Sequence, residues 1–119
     1  MARYTHDLTV AVPLSQLYEQ ITAVLKACSF EILYFKEDYV IARETPGNVS
    51  FSKLVTIEVL VDSTRATAEK THLSVVVKNE ELPLQADNHC YQVYQKLNQA
   101  ILENKGWELI RSVAENSIG

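Results

Sequence analysis

Hydrophobic residues in this chain change their spacing along the sequence, from every second residue to every third or fourth and back again. The first stretch alternates as a strand with one solvent-facing side does, and its apolar face would hold Tyr4, His6, Leu8, Val10 and Val12. A helix is predicted after Pro13, because proline is favoured at a first helical position and the next apolar residues recur at helical spacing. That stripe comprises Leu14, Leu17, Tyr18, Ile21, Val24, Leu25 and Cys28. The chain must therefore combine strands with helices.

A β-hairpin is predicted in FEILYFKEDYVIARE, which alternates on both sides of a polar turn at residues 36–38. A register that sets Glu31 opposite Arg43 is favoured, because it makes an opposite-charge cross-strand pair. In that register the solvent-facing pairs also include Leu33 with Ile41 and Phe35 with Tyr39. The core-facing set would then be Phe30, Ile32, Tyr34, Val40 and Ala42.

Two more half-buried strands are predicted in KLVTIEVLVDS and KTHLSVVVKN, since each alternates along its length. A second helix should begin at Pro83 and run to about Asn104, with Gly106 as the terminating residue. Its apolar stripe comprises Ala86, Cys90, Val93, Tyr94, Leu97, Ala100 and Ile101.

The order of elements predicts an α+β fold, a two-layer sandwich of the form β-α-β-β-β-β-α with an antiparallel five-stranded sheet and both helices on one face. We expect the first strand beside the last and FEILYF at the other edge. Over about residues 3–104 this topology resembles the TATA-box-binding-protein-like and helix-grip folds. We assign residues 1–105 to a single domain and residues 106–119 to a C-terminal tail, docked or partly flexible.

Charge and cysteine content limit the classes of partner and compartment. The net charge is −4, with 15 acidic and 11 basic residues and no run of Lys or Arg, so nucleic acid is not expected as a partner. No apolar stretch has the length of a signal peptide core or of a transmembrane segment. Cys28 and Cys90 are too few for a disulfide framework, and we expect a cytoplasmic protein with reduced thiols.

His89 and Cys90 are adjacent, which raises the question of a catalytic pair or a metal site. Adjacent helical side chains diverge by about 100°, so Cys90 should point into the core while His89 lies on the flank. A zinc site would need His72, His89 and Cys90 to converge, and the predicted faces separate them. We find no catalytic motif and expect no metal and no cofactor, which favours a non-enzymatic role over an enzyme.

The open face of the sheet provides the first candidate site. Its predicted apolar patch of Leu33, Phe35, Tyr39 and Ile41, with Trp107 of the tail as a further candidate, would bind a protein partner or form a homodimer. Alternatively, the tail could cover the patch, with Trp107, Ile110 and Val113 forming one face of a short helix or irregular segment. The tail could also dock on a minor apolar edge of the last helix, or the predicted register could be wrong.

A pocket between sheet and helices provides the second candidate site. There His6, Tyr18, Tyr34 and Tyr94 would supply the polar groups of a pocket for a small apolar ligand, whether in a binding protein or an enzyme. His6 is unusual because it occupies an inward position. It is either a hydrogen-bonded histidine near the sheet edge or part of this pocket.

Overall fold

The computed structural model describes residues 1–47, 49–82 and 88–117. Within these residues, eight principal elements follow one another. They are β1 (Ala2–Val10), α1 (Leu14–Ala27), β2 (Phe30–Lys36), β3 (Tyr39–Glu44), β4 (Thr56–Asp62), β5 (Thr71–Asn79), α2 (His89–Glu103) and β6 (Leu109–Ser117).

The six strands form one open antiparallel sheet in the order β2-β3-β4-β5-β1-β6. The predicted α+β class is confirmed, as are the pairing of β1 with β5 and the position of β2 at one edge. The sheet has one strand more than predicted. Residues expected as a helix or irregular segment pair with β1 as β6, from Leu109 opposite Val10 to Ser117 opposite Arg3. That prediction was wrong because it rested on the three-residue spacing of apolar residues in the tail. This spacing does not reveal that the edge of β1 offers a row of backbone hydrogen-bond partners.

Helix α2 begins later than predicted. Asn88 has an extended backbone and its side chain accepts a hydrogen bond from the Tyr91 N–H, so it is the N-cap and His89 is the first helical residue. The predicted start at Pro83 and the stripe residue Ala86 lie outside the described residues. The rest of the stripe is confirmed, with Cys90, Tyr94, Leu97 and Ile101 buried and Val93 and Ala100 packed against the core.

The β2–β3 hairpin follows the predicted register only at the end away from its turn. Glu31 pairs with Arg43, and their side chains form an ion pair of 3.0 Å. The register then shifts at Leu33, so Tyr34 lies opposite Ile41 and Phe35 lies opposite Val40. The predicted pairs of Leu33 with Ile41 and Phe35 with Tyr39 are therefore wrong.

An extra residue in one strand reverses the faces of all that follow it, and this β-bulge moves two aromatic side chains. Tyr34 lies on the open face beside Tyr39, although the sequence predicts it in the core. Phe35 lies on the helix side, where its ring meets Tyr18 of α1 at 5.2 Å between centroids. The contact with α1 is a tertiary interaction that strand alternation cannot predict.

The core lies between the helices and one face of the sheet. Tyr4 of β1 stacks on Tyr94 of α2 at 5.2 Å, and the Tyr94 hydroxyl donates to the Thr5 carbonyl. Trp107 is also buried, and its indole N–H donates to the Ile101 carbonyl at the end of α2. Within the described part of the chain, no helix is both long and apolar enough to cross a membrane.

Candidate interaction surface on strand β2

Strand β2 exposes three consecutive large apolar residues. Leu33, Tyr34 and Phe35 are 50%, 41% and 50% exposed. The strand lies at one end of the sheet order, and within the described residues β3 is its strand neighbour. A sheet edge carries backbone N–H and C=O groups that can pair with another strand. We call these three residues with the half-buried Tyr39 and Ile41 the β2 edge patch.

On the open face, the patch is built around Tyr34. Its ring meets Tyr39 edge-on at 6.0 Å between centroids, and the Lys36 ammonium lies 5.9 Å from the Tyr34 ring centroid. Leu60 of β4 lies opposite Tyr39 and is 44% exposed, so it extends the apolar surface. Long aromatic side chains with a cation over one ring suit a surface that contacts both apolar and acidic groups.

On the helix side, Phe35 rests against Tyr18. The hydroxyl of Tyr18 is buried without a hydrogen-bond partner among the described residues. Burial raises the pKa of this hydroxyl, and the charges of Asp38 and Glu37 raise it further. Tyr18 therefore remains a neutral hydroxyl over the physiological range and serves as a support for Phe35.

Away from β2, the open face is held by polar pairs. Glu58 accepts a hydrogen bond from the Tyr39 hydroxyl at 2.8 Å and forms an ion pair with Lys78. The Lys78 interaction holds the pKa of Glu58 below its usual range, so the carboxylate is charged at neutral pH. Farther along, the Ser74 hydroxyl donates to Asp7. Of the five large apolar side chains that are exposed on the described strands, three lie on β2, and the other two are Leu60 of β4 and Ile110 of β6.

A groove of about 490 Å³ crosses the other end of the open face. Its lining carries both signs of charge, with Asp7 and Asp62 beside Arg65 and Arg111. Arg65 forms an ion pair with Asp62. Mixed, internally paired charges give no field of one sign that would select a charged ligand.

The residues of the first predicted site are only partly brought together. Tyr39 and Ile41 share the open face, Leu33 lies at the bulge, and Phe35 lies on the helix side. Trp107 does not join them, because it is 7% exposed and bonded to the end of α2. The patch includes Tyr34, which the sequence places on the opposite face.

The residues of the second predicted site do not converge. His6 of β1 and Tyr94 of α2 are buried between the sheet and that helix, Tyr18 lies against Phe35, and Tyr34 lies on the other face of the sheet. A cavity next to α2 has a volume of about 140 Å³ and is lined by Cys28, Phe30, Glu44, Val93 and Leu97 among others. Pockets for drug-sized ligands usually have about 300–1,000 Å³.

Cys90 packs in the core, as predicted from its position on α2. Its thiol is fully buried and lies 3.6 Å from the Val77 carbonyl, to which it can donate. Burial raises the pKa of Cys90 to about 12, with the charges of Glu81 and Glu44 adding to the effect. His89 lies on the flank and contacts the Glu44 carboxylate at 2.9 Å. Cys90 is therefore kept as a neutral thiol, and the imidazole of His89 is bonded to Glu44 instead.

His6 is held by two polar residues that the sequence did not single out. Its Nδ1 lies 2.8 Å from Oδ1 of Asn98 on α2, and its Nε2 meets the Ser112 hydroxyl of β6. The hydrogen-bonded interpretation of His6 is confirmed. A neutral ring satisfies both contacts if Nδ1–H donates to Asn98 and the Ser112 hydroxyl donates to Nε2. Asn98 is adjacent to the apolar stripe of α2, the one signal that marks it in the sequence.

We expect His6 to make folding stability depend on pH. Burial lowers the pKa of His6 below 6.5, against the opposing effects of Asn98 and Asp7. As pH falls below about 6.5, the unfolded chain gains a proton that the folded chain takes up only at lower pH, so stability decreases. The free energy of unfolding, measured between pH 7.5 and 5.5, should fall less steeply in His6→Gln than in the wild type.

The wild type and His6→Gln both contain His72 and His89, so the difference between their two slopes cancels the contributions of these residues. The pH range also lies above the titration of carboxylates in the unfolded chain. A control variant, His72→Gln, should leave the His6 contribution in place. Identical slopes in the wild type and His6→Gln would show that His6 titrates in the folded protein as it does in the unfolded chain.

Comparison with protein-family models finds no match to this chain, and comparison with curated proteins finds no similar sequence. No functional residue is therefore transferred to it from another protein.

Proposed function

We propose that this protein is a non-enzymatic interaction module that binds a protein through the β2 edge patch. The observation that carries the proposal is the run of Leu33, Tyr34 and Phe35, three consecutive apolar side chains exposed on an edge strand. Edge strands usually protect themselves with charge, proline, a bulge or a short length. This strand has a bulge and Lys36, but it also presents large apolar side chains on both faces.

A binding strand at this edge would make two kinds of interaction. Its backbone would continue the hydrogen-bond ladder of the sheet, which provides affinity without reading the sequence of the partner. Its side chains would contact Tyr34 on one face and Phe35 on the other, which provides specificity. Tyr39 and Tyr18 support these two rings from within the same chain.

A pocket for a small apolar ligand has less support, because its four candidate residues lie apart and the cavity beside α2 is only about 140 Å³. Neutral, buried Cys90 likewise supports a binding role rather than thiol catalysis. The proposal includes a cytoplasmic location, since Cys28 and Cys90 are free thiols and the cytosol keeps thiols reduced.

Tyr34→Glu tests this function, because it places a charge in the patch without removing a core side chain. We expect the wild type either to self-associate in light scattering or to retain a protein from an extract of its source cells, and Tyr34→Glu to weaken that binding at least about tenfold. Phe51→Glu is the matched control, because Phe51 is 80% exposed and lies outside the patch. Circular dichroism would verify that both variants fold.

Binding that survives Tyr34→Glu, or a monomeric wild type that retains no protein through this residue, would reject the proposed function. Equal loss in Phe51→Glu would show that apolar exposure in general, and not the β2 edge patch, causes the binding.

A further inference from the structure

The side chains of β2 have a fixed distribution between its two faces. Glu31 and Tyr34 lie opposite Arg43 and Ile41, on the open face, and Lys36 lies above the Tyr34 ring on the same face. Ile32 and Phe35 lie opposite Ala42 and Val40, on the helix side. In an antiparallel ladder, directly opposed residues project from the same face, so any strand added here must match this distribution.

We infer that the partner is a second copy of this chain, paired β2 to β2 in antiparallel about a two-fold axis between Leu33 and Tyr34. The inference rests on the proposed function and names its partner. In this register Glu31 lies opposite Lys36 of the other copy, and the two-fold axis makes this contact twice. Ile32 lies opposite Phe35 of the other copy, also twice, and each pair shares a face.

Other registers fit less well. If the pairing slips by one residue, Ile32 lies opposite Tyr34 for a slip in one direction and opposite Lys36 for a slip in the other. Either slip opposes residues that project from different faces. A slip of two residues that sets Glu31 opposite Tyr34 and Lys36 opposite Ser29 matches the faces again. It removes both charge pairs, however. Only the axis between Leu33 and Tyr34 combines matched faces with two opposite-charge contacts.

The charges on β2 favour this pairing, and its two-fold symmetry would limit the assembly to two copies. Glu31 is 47% exposed although it already contacts Arg43, so its carboxylate is accessible to a second cation. Lys36 lies at the end of β2, where an unpaired lysine opposes strand addition. Opposite Glu31 the same lysine is neutralised, and two-fold pairing uses the β2 edges of both copies, which closes the assembly at a dimer.

Charge reversal tests this register. Glu31→Lys sets two lysines against each other at both contacts, and Lys36→Glu sets two glutamates against each other. Each single variant should raise the dissociation constant of the dimer by about tenfold or more, measured by light scattering over a dilution series at low salt. The double variant, Glu31→Lys with Lys36→Glu, should return to within about threefold of the wild type.

Mixing the two single variants provides the sharpest result. Each is weakened as a homodimer, but one of each restores both opposite-charge contacts, so the mixture should form a mixed dimer. Glu103→Lys is the control, because Glu103 is exposed on α2 and should leave the dissociation constant unchanged. Unfolding curves of every variant would separate weaker binding from loss of the Glu31–Arg43 ion pair.

The outcomes distinguish this inference from the proposed function. In one outcome, Tyr34→Glu weakens the dimer, but neither the double variant nor the mixture restores the binding that the single charge variants lose. That outcome would overturn the register and leave the β2 edge patch as the binding surface. A monomer that retains a different protein through Tyr34 would overturn the second copy as partner. A monomer that binds nothing through Tyr34 would overturn both.

Discussion

A Trp107→Ala variant should lose about 3–5 kcal/mol of unfolding free energy, the range found when buried Phe or Trp side chains are truncated. The expected loss is large because Trp107 is 7% exposed, belongs to the core cluster, and donates its indole N–H to the Ile101 carbonyl at 3.1 Å. Urea denaturation followed by circular dichroism would measure it, since Trp107 is the one tryptophan of the chain and its fluorescence is lost in the variant.

Two control variants separate the causes. Trp107→Phe keeps most of the apolar volume but loses the indole donor, so it should cost less than the alanine variant. Phe51→Ala removes an aromatic side chain that is 80% exposed and should change stability by less than about 0.5 kcal/mol. A Trp107→Ala variant as stable as the wild type would contradict the core position of the indole and return Trp107 to the candidates for partner binding.

A variant that ends at Lys105 should be destabilised at least as much as Trp107→Ala and should also associate. It lacks Trp107, the Ser112 hydroxyl that contacts His6, and all nine residues of β6. The edge of β1 that pairs with β6 is then free, while β1 still pairs with β5, and a free edge beside an apolar core favours pairing between chains. Denaturation and light scattering across a dilution series would measure the two effects.

Tyr34→Glu in the shortened chain identifies which edge is responsible. Association through β1 should persist in that combined variant, whereas association through the β2 edge patch should be lost. A shortened chain that stays monomeric with full-length stability would contradict any contribution of β6 to the sheet.

The candidate site was predicted in part. The hairpin, its edge position and the Glu31–Arg43 pair follow from the alternation and charges of the sequence, and Tyr39 and Ile41 lie on the open face as expected. The faces of Tyr34 and Phe35 and the pairing of Leu33 with Ile41 were predicted incorrectly for a single reason. A bulge adds one residue to one strand, and hydrophobic periodicity does not show where a strand inserts it.

The sequence by itself determined the elements that carry strong periodicity. Strand β1 and helices α1 and α2 each have one apolar side, and removing that side from water is favourable wherever the neighbouring elements lie. Their type and inward faces therefore follow from local spacing. The burial of Cys90 follows from the same stripe.

Only the tertiary structure decided which edges are covered and which stay exposed. Strand β6 forms because β1 has a free row of hydrogen-bond groups within reach, and Phe35 turns to the helix side, where Tyr18 stands beside it. Asn98 and Ser112 meet His6 from elements distant in sequence. These contacts depend on the arrangement of whole elements in space, and the free energy of satisfying an edge or a buried polar group is not encoded in the spacing of any one segment.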